Sequence, residues 1–146
     1  MGDTIVGLAE LVLVVSDVRR CAAFYRDVLG LEHEPETSRE SDGWAWFRLE
    51  SPANEARPQR LALRQGSLLF EERSPRPEGS RWGPVHFALH APRERIDAAL
   101  ERARQAGADV LGPVRLEWMR ANAWYFFDPE GNLAELWSPD PASAEP

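Results

Sequence analysis

The 146-residue sequence contains no lysine: all 17 basic residues are arginine, set against 24 acidic ones, for a net charge of −7. A surface of that sign repels a phosphate backbone, so nucleic acid is not the expected partner. The single cysteine, Cys21, leaves nothing to form a disulfide within the chain. It falls on an apolar helical pattern and reads as a buried, inert thiol rather than a nucleophile. No long apolar run occurs either. The stretch L-V-L-V-V at 11–15 is far too short to span a bilayer and lacks the flanks of a signal peptide, so the expectation is a cytoplasmic protein with no membrane partner. What remains is ordinary for a globular chain: 43% hydrophobic and 28% charged, enough for one core, shared by two halves if the chain is divided.

Residues 8–15 alternate as a β-branched strand interrupted by Glu10, and Ser16-Asp17 can cap a helix over 18–29 that Gly30 would end. Strands are predicted at 44–49, 60–64 and 67–72. The proline- and glycine-rich segment 74–84 reads as a linker, after which the pattern restarts. A strand over 85–90 is followed by an amphipathic helix at 92–106 and by strands near 110–114, 121–127 and 133–137. The residues 140–146 read as a disordered tail. The order β-α-β-β-β thus occurs twice, in modules expected at 1–73 and 85–139. Neither half closes a core alone, and such a repeat constrains the fold strongly.

The second module closes with F-F-D-P-E-G-N-L-A-E-L-W-S-P (126–139). Asp-Pro-Glu-Gly has the chemistry of a tight turn, and the strand beyond it places Leu133, Glu135 and Trp137 on one face. A carboxylate in so apolar a strand is costly to bury without a partner, usually an arginine and less often a metal ion. The same alternation sets His86 apart from Val85, Phe87 and Leu89, and Glu10 apart from Leu11, Leu13 and Val15. Aligning G-S-L-L-F-E-E-R-S-P (66–75) with G-N-L-A-E-L-W-S-P (131–139) adds Glu71. Glu10, Glu71, His86 and Glu135 would then point into one cavity. Three carboxylates converging without a cation repel one another, whereas a divalent ion (Mn, Ni, Mg, Fe or Zn) suits three oxygens and an imidazole. Read singly, each is also a plausible arginine-paired or core residue. Trp44, Trp46 and Trp137 are candidates to line a substrate pocket, with Arg120 and Asn122 placed to hold an anionic group. His33 and His90 read as surface and rim residues.

The doubled pattern, together with V-S-D-V-R-R-C-A-A-F-Y-R-D-V-L-G-L (15–31), V-H-F-A-L (85–89) and Y-F-F-D-P-E-G-N-L-A-E-L (125–136), resembles the vicinal oxygen chelate superfamily. This group includes glyoxalase I, fosfomycin-resistance proteins, methylmalonyl-CoA epimerase, extradiol dioxygenases and bleomycin-resistance proteins. The resemblance spans roughly residues 5–139. It implies an α+β fold in which two βαβββ modules form a cupped, partly open mixed β-sheet barrel with helices outside, and commonly a homodimer. By resemblance His86 and Glu135 match the second-module metal ligands, and Glu71 the first-module glutamate. Glu10 stands where histidine or glutamine is usual, which disfavours a dioxygenase. The implied chemistry is that of a metal-dependent lyase, isomerase or epoxide-opening enzyme acting on a small molecule, with Glu135 as the base and Glu71 second. The competing reading is a metal-free protein that sequesters an aromatic or cationic drug.

Overall fold

A computed structural model of the chain describes residues 8–35, 39–49, 59–73 and 85–141. The chain divides into two compact units, Met1–Arg81 and Trp82–Pro146. In the first, β1 (Glu10–Val15) leads into α1 (Val18–Ala23), then β2 (Glu32–His33), β3 (Trp44–Leu49) and β4 (Gln59–Gln65). The sheet order is β1-β4-β3-β2, with β1 parallel to β4 and the other pairs antiparallel. The second unit repeats this with β5 (His86–His90), α2 (Arg93–Gln105), β6 (Leu111–Leu116), β7 (Ala121–Phe127) and β8 (Leu133–Pro139), in the order β5-β8-β7-β6. Again only the first and last strands are parallel. The two βαβββ modules read from the sequence are present.

Each sheet buries one face under its helix. Leu13, Val15, Ala45, Phe47, Leu61 and Leu63 alternate along β1, β3 and β4 and lie buried with Val18, Cys21, Ala22 and Tyr25. Tyr25 meets Phe47 with ring centroids 6.0 Å apart. Cys21 is a buried thiol. Asp17 caps α1 by accepting from the Arg20 amide at 3.0 Å, as its chemistry predicts. The helix then widens into a π turn over Phe24–Val28 instead of running on as α-helix. In the second unit Ile96, Ala99, Leu100 and Ala103 of α2 are buried, as are Trp124, Phe126, Ala134 and Leu136 of the sheet.

The expected strand at 67–72 does not form. β4 lies earlier, at Gln59–Gln65, and its pairing with β1 runs from Glu10↔Arg60 to Val15↔Gln65, using the whole of that edge. Gly66 (φ +103) then turns the chain away and donates its amide to the Val15 carbonyl at 3.2 Å. Beyond it, Leu68, Leu69 and Phe70 are exposed, and Glu71–Arg73 is a single 3-10 turn. The linker expected at 74–84 lies outside the described residues, as do residues 142–146 of the expected tail. The start of that tail is held, because Arg115 donates to both oxygens of Asp140 at 2.7 and 2.8 Å. Among the described residues no helix is long and apolar enough to cross a membrane.

The turn between β7 and β8 fixes the geometry that matters most. Asp128 Oδ1 accepts from the amides of Glu130 (2.9 Å) and Asn132 (2.8 Å), while Oδ2 accepts from Asn132 Nδ2 at 3.0 Å. Gly131, at φ +81, closes the bend in the left-handed conformation. Asn132 Oδ1 in turn accepts from the Val85 amide at 3.1 Å, and the Leu133 amide donates to the Val85 carbonyl at 2.9 Å. One turn therefore sets both the β7–β8 hairpin and the parallel register His86↔Leu133.

Candidate functional site

On β8, Ala134, Leu136 and Ser138 are buried on the helix side, which leaves Leu133, Glu135 and Trp137 on the opposite face. His86, Ala88 and His90 of β5 share that face, and Tyr125 of β7 stands directly across from Glu135 in the ladder. Glu135 is only 7% exposed. Its carboxylate meets His86, whose Nε2 lies 3.0 Å from Oε2, and the Tyr125 phenol belongs to the same face. The side chain that meets this buried carboxylate is an imidazole rather than an arginine. Facing an ionised carboxylate, the contacting His86 nitrogen is the one that carries the proton. Burial first, and then the adjacent Glu135 charge and the hydrogen bond to it, push the Tyr125 phenol above its ordinary range.

These three side chains form the polar end of a cavity of about 420 Å³. Its walls are Leu116, Trp118, Met119 and Trp137. His90 lies edge-on to Trp137, with centroids 5.4 Å apart, at the margin of the same cavity. The Trp137 Nε1 is buried without an acceptor. Arg120, held at φ +50, and Asn122 do not line the cavity. Arg120 ends a 3-10 turn, and Asn122 falls on the helix-side face of β7 with Trp124 and Phe126, because strand alternation sets it opposite Tyr125. Of the five expected substrate contacts, this pocket gathers Trp137.

Trp44 and Trp46 form a separate shelf in the first unit. Their rings stack at 4.7 Å, and the Arg64 guanidinium lies 4.9 Å from the Trp44 ring. Glu10, exposed at the start of β1, accepts from Trp46 Nε1 at 3.2 Å. Pairing registers relate this face to the pocket residue by residue. Glu10 begins β1 as His86 begins β5, and Trp46↔Ala62 matches Tyr125↔Glu135. The internal counterpart of Glu135 is therefore Ala62, not Glu71. The strand that would have aimed Glu71 is a 3-10 turn.

A carboxylate oxygen and an imidazole nitrogen 3.0 Å apart fit two neighbouring positions on one divalent ion, given metal–ligand bonds of about 2.0–2.2 Å. Among the described residues no group of three His, Cys, Asp or Glu side chains gathers into a complete cage. The remaining positions would fall to water or to substrate oxygens, as hard cations accept.

The duplicated topology and the His86–Glu135 pair define a glyoxalase-type scaffold. The glyoxalase-like domain family matches residues 10–137, and the chain belongs to it. That places it in the vicinal oxygen chelate superfamily. The structure is similar to lactoylglutathione lyase from Agrobacterium tumefaciens (22% identity, TM-score 0.66, covering 93% of this chain and 96% of that one). It is also similar to the fosfomycin resistance protein FosX of Listeria monocytogenes (21%, TM-score 0.61, 91% of each chain). An integron cassette protein from the mobile metagenome of a Halifax Harbour sewage outfall shares 25% identity, with a TM-score of 0.66 over 92% of this chain and 99% of that one. These likenesses establish the fold. No curated protein matches the chain.

Proposed function

We propose that this protein is a divalent-metal-dependent enzyme of the glyoxalase type, a lyase, isomerase or epoxide-opening enzyme acting on a small oxygenated molecule. The observation that supports this most is the His86–Glu135 pair at the polar end of an otherwise apolar cavity. When bound, the ion would supply Lewis-acid polarisation of a substrate oxygen. Glu135 is the proton carrier: it is buried, which strengthens its interactions, and it is within reach of the cavity. Tyr125 stands across the β7–β8 ladder from that carboxylate, and Leu116 and Met119 supply apolar wall. Glu10, the counterpart of His86, and Glu71 are the further candidate ligands. By analogy with the superfamily the working form is a homodimer in the cytoplasm.

Metal analysis of protein purified without added ions tests the reading. We expect close to one equivalent of a first-row ion or magnesium per chain, lost in Glu135→Ala and in His86→Ala. Glu10→Gln and Glu71→Gln then report whether either is a ligand. Metal-free protein that stays metal-free when titrated with Mn²⁺, Ni²⁺ and Zn²⁺ would overturn it. The alternative is capture of an aromatic or cationic drug, which the exposed Trp118 of the cavity and the net charge of −7 would suit. Stoichiometric drug binding by such metal-free protein would establish that alternative.

A further inference from the structure

Among the described tryptophans, Trp118 is the one its own chain leaves bare. Trp44 and Trp46 stack on each other, Trp124 is buried beneath Arg93, and Trp137 packs against His90. Trp118 is 84% exposed, yet it belongs to the lining of the cavity. It sits on the 3-10 turn Glu117–Met119, between β6 and β7, which Arg120 closes in a left-handed conformation. An indole in water at the mouth of a pocket is unexplained by packing, and a ligand ring would explain it. The charge around it limits what that ligand can be. Among the described residues no guanidinium lines the cavity, and the nearby Arg115 is occupied by Asp140 and Glu117. An anionic arm would find no counter-charge there.

We propose that this cavity selects a ligand with a neutral, flat arm that stacks on Trp118, while its oxygen-bearing end lies toward His86, Glu135 and Tyr125. The placement of the oxygen end rests on the function proposed above; the preference for a ring rests on Trp118 alone. Two neutral hydroxamates that differ only in the arm separate these claims. Isothermal titration of the full chain should show benzohydroxamate binding about tenfold more tightly than acetohydroxamate, the scale of one buried aromatic contact. Trp118→Ala should erase most of that ratio while leaving acetohydroxamate affinity and the thermal midpoint unchanged. Equal affinities in the parent protein, a ratio that survives Trp118→Ala, or no binding of either probe at millimolar concentration would each overturn the proposal. Glu135→Ala tests the other part. If acetohydroxamate affinity is unchanged there while the ring preference persists, the oxygen end has been misplaced, and the Trp118 assignment stands.

Discussion

Tyr125 and Glu135 form a contact with a measurable consequence. The phenol is held above its ordinary value of 10.0, so the folded state keeps the Tyr125 proton to higher pH than the unfolded chain does. Stability from this source is complete below that value and is lost as pH rises through the higher folded value. The chain suits the measurement, because it has no lysine and just two tyrosines and one cysteine to titrate on the alkaline side. Denaturant midpoints should fall above about pH 10, and Tyr125→Phe should flatten that decline. An unchanged alkaline limb in the variant would argue against the contact. Asp140 gives the opposite sign: Arg115 holds its carboxyl below the usual range, so this contribution is present above the ordinary carboxylate value and fades as pH falls through the lower folded one. NMR titration should place Asp140 below the ordinary aspartate value of 3.8 and return it toward that value in Arg115→Gln. Tyr125 itself was overlooked in the sequence, although the signal was there. The turn centred on Glu130 sets residues 125 and 135 at equal distances from it, which is the condition for a cross-strand pair.

At the scale of the element, alternation was reliable where a strand had one apolar face and misleading where it did not. β5 and β8 fall where polar and apolar residues take turns, and their faces were read correctly. Leu68–Phe70 failed because three adjacent apolar residues look like a strand, whereas the module already closes with β4, the strand expected at 60–64. β2 is two residues long and offers no pattern to read. The Asp128–Asn132 turn is the element most open to test. Asn132→Ala removes the acceptor for Val85 and a partner of buried Asp128, and should cost about 1–3 kcal/mol in urea unfolding. It should also weaken metal uptake, because His86 begins one residue beyond Val85. A loss of stability below about 0.5 kcal/mol would mean the turn is held by its backbone alone.

For the molecule as a whole, the repeat was legible because the two modules share their order of elements. Its chemistry was less so, because the modules have diverged on the face away from the helix. Arg64 stands where the second module has Trp137, and Ala62 where it has Glu135. Only pairing registers reveal those matches; sequence alignment through the glycines favoured Glu71 instead. Phe47, fully buried beside Tyr25, anchors the first module, and Phe47→Ala should destabilise the protein by about 3–5 kcal/mol in chemical denaturation. If the metal reading holds, a saturating ion should raise the thermal midpoint, with about 2.7 kcal/mol gained at a hundredfold excess over the dissociation constant. That gain should vanish in Glu135→Ala and persist in Phe47→Ala.

The clasp around Asn132 has one more consequence. Because a single loop seats the strand bearing the imidazole against the strand bearing the carboxylate, the spacing between them is written into about fifty contiguous residues, 85–137, rather than into distant parts of the chain. Lineages sharing this loop could change the surrounding walls while inheriting the same imidazole-to-carboxylate spacing, and a protein engineer could do likewise.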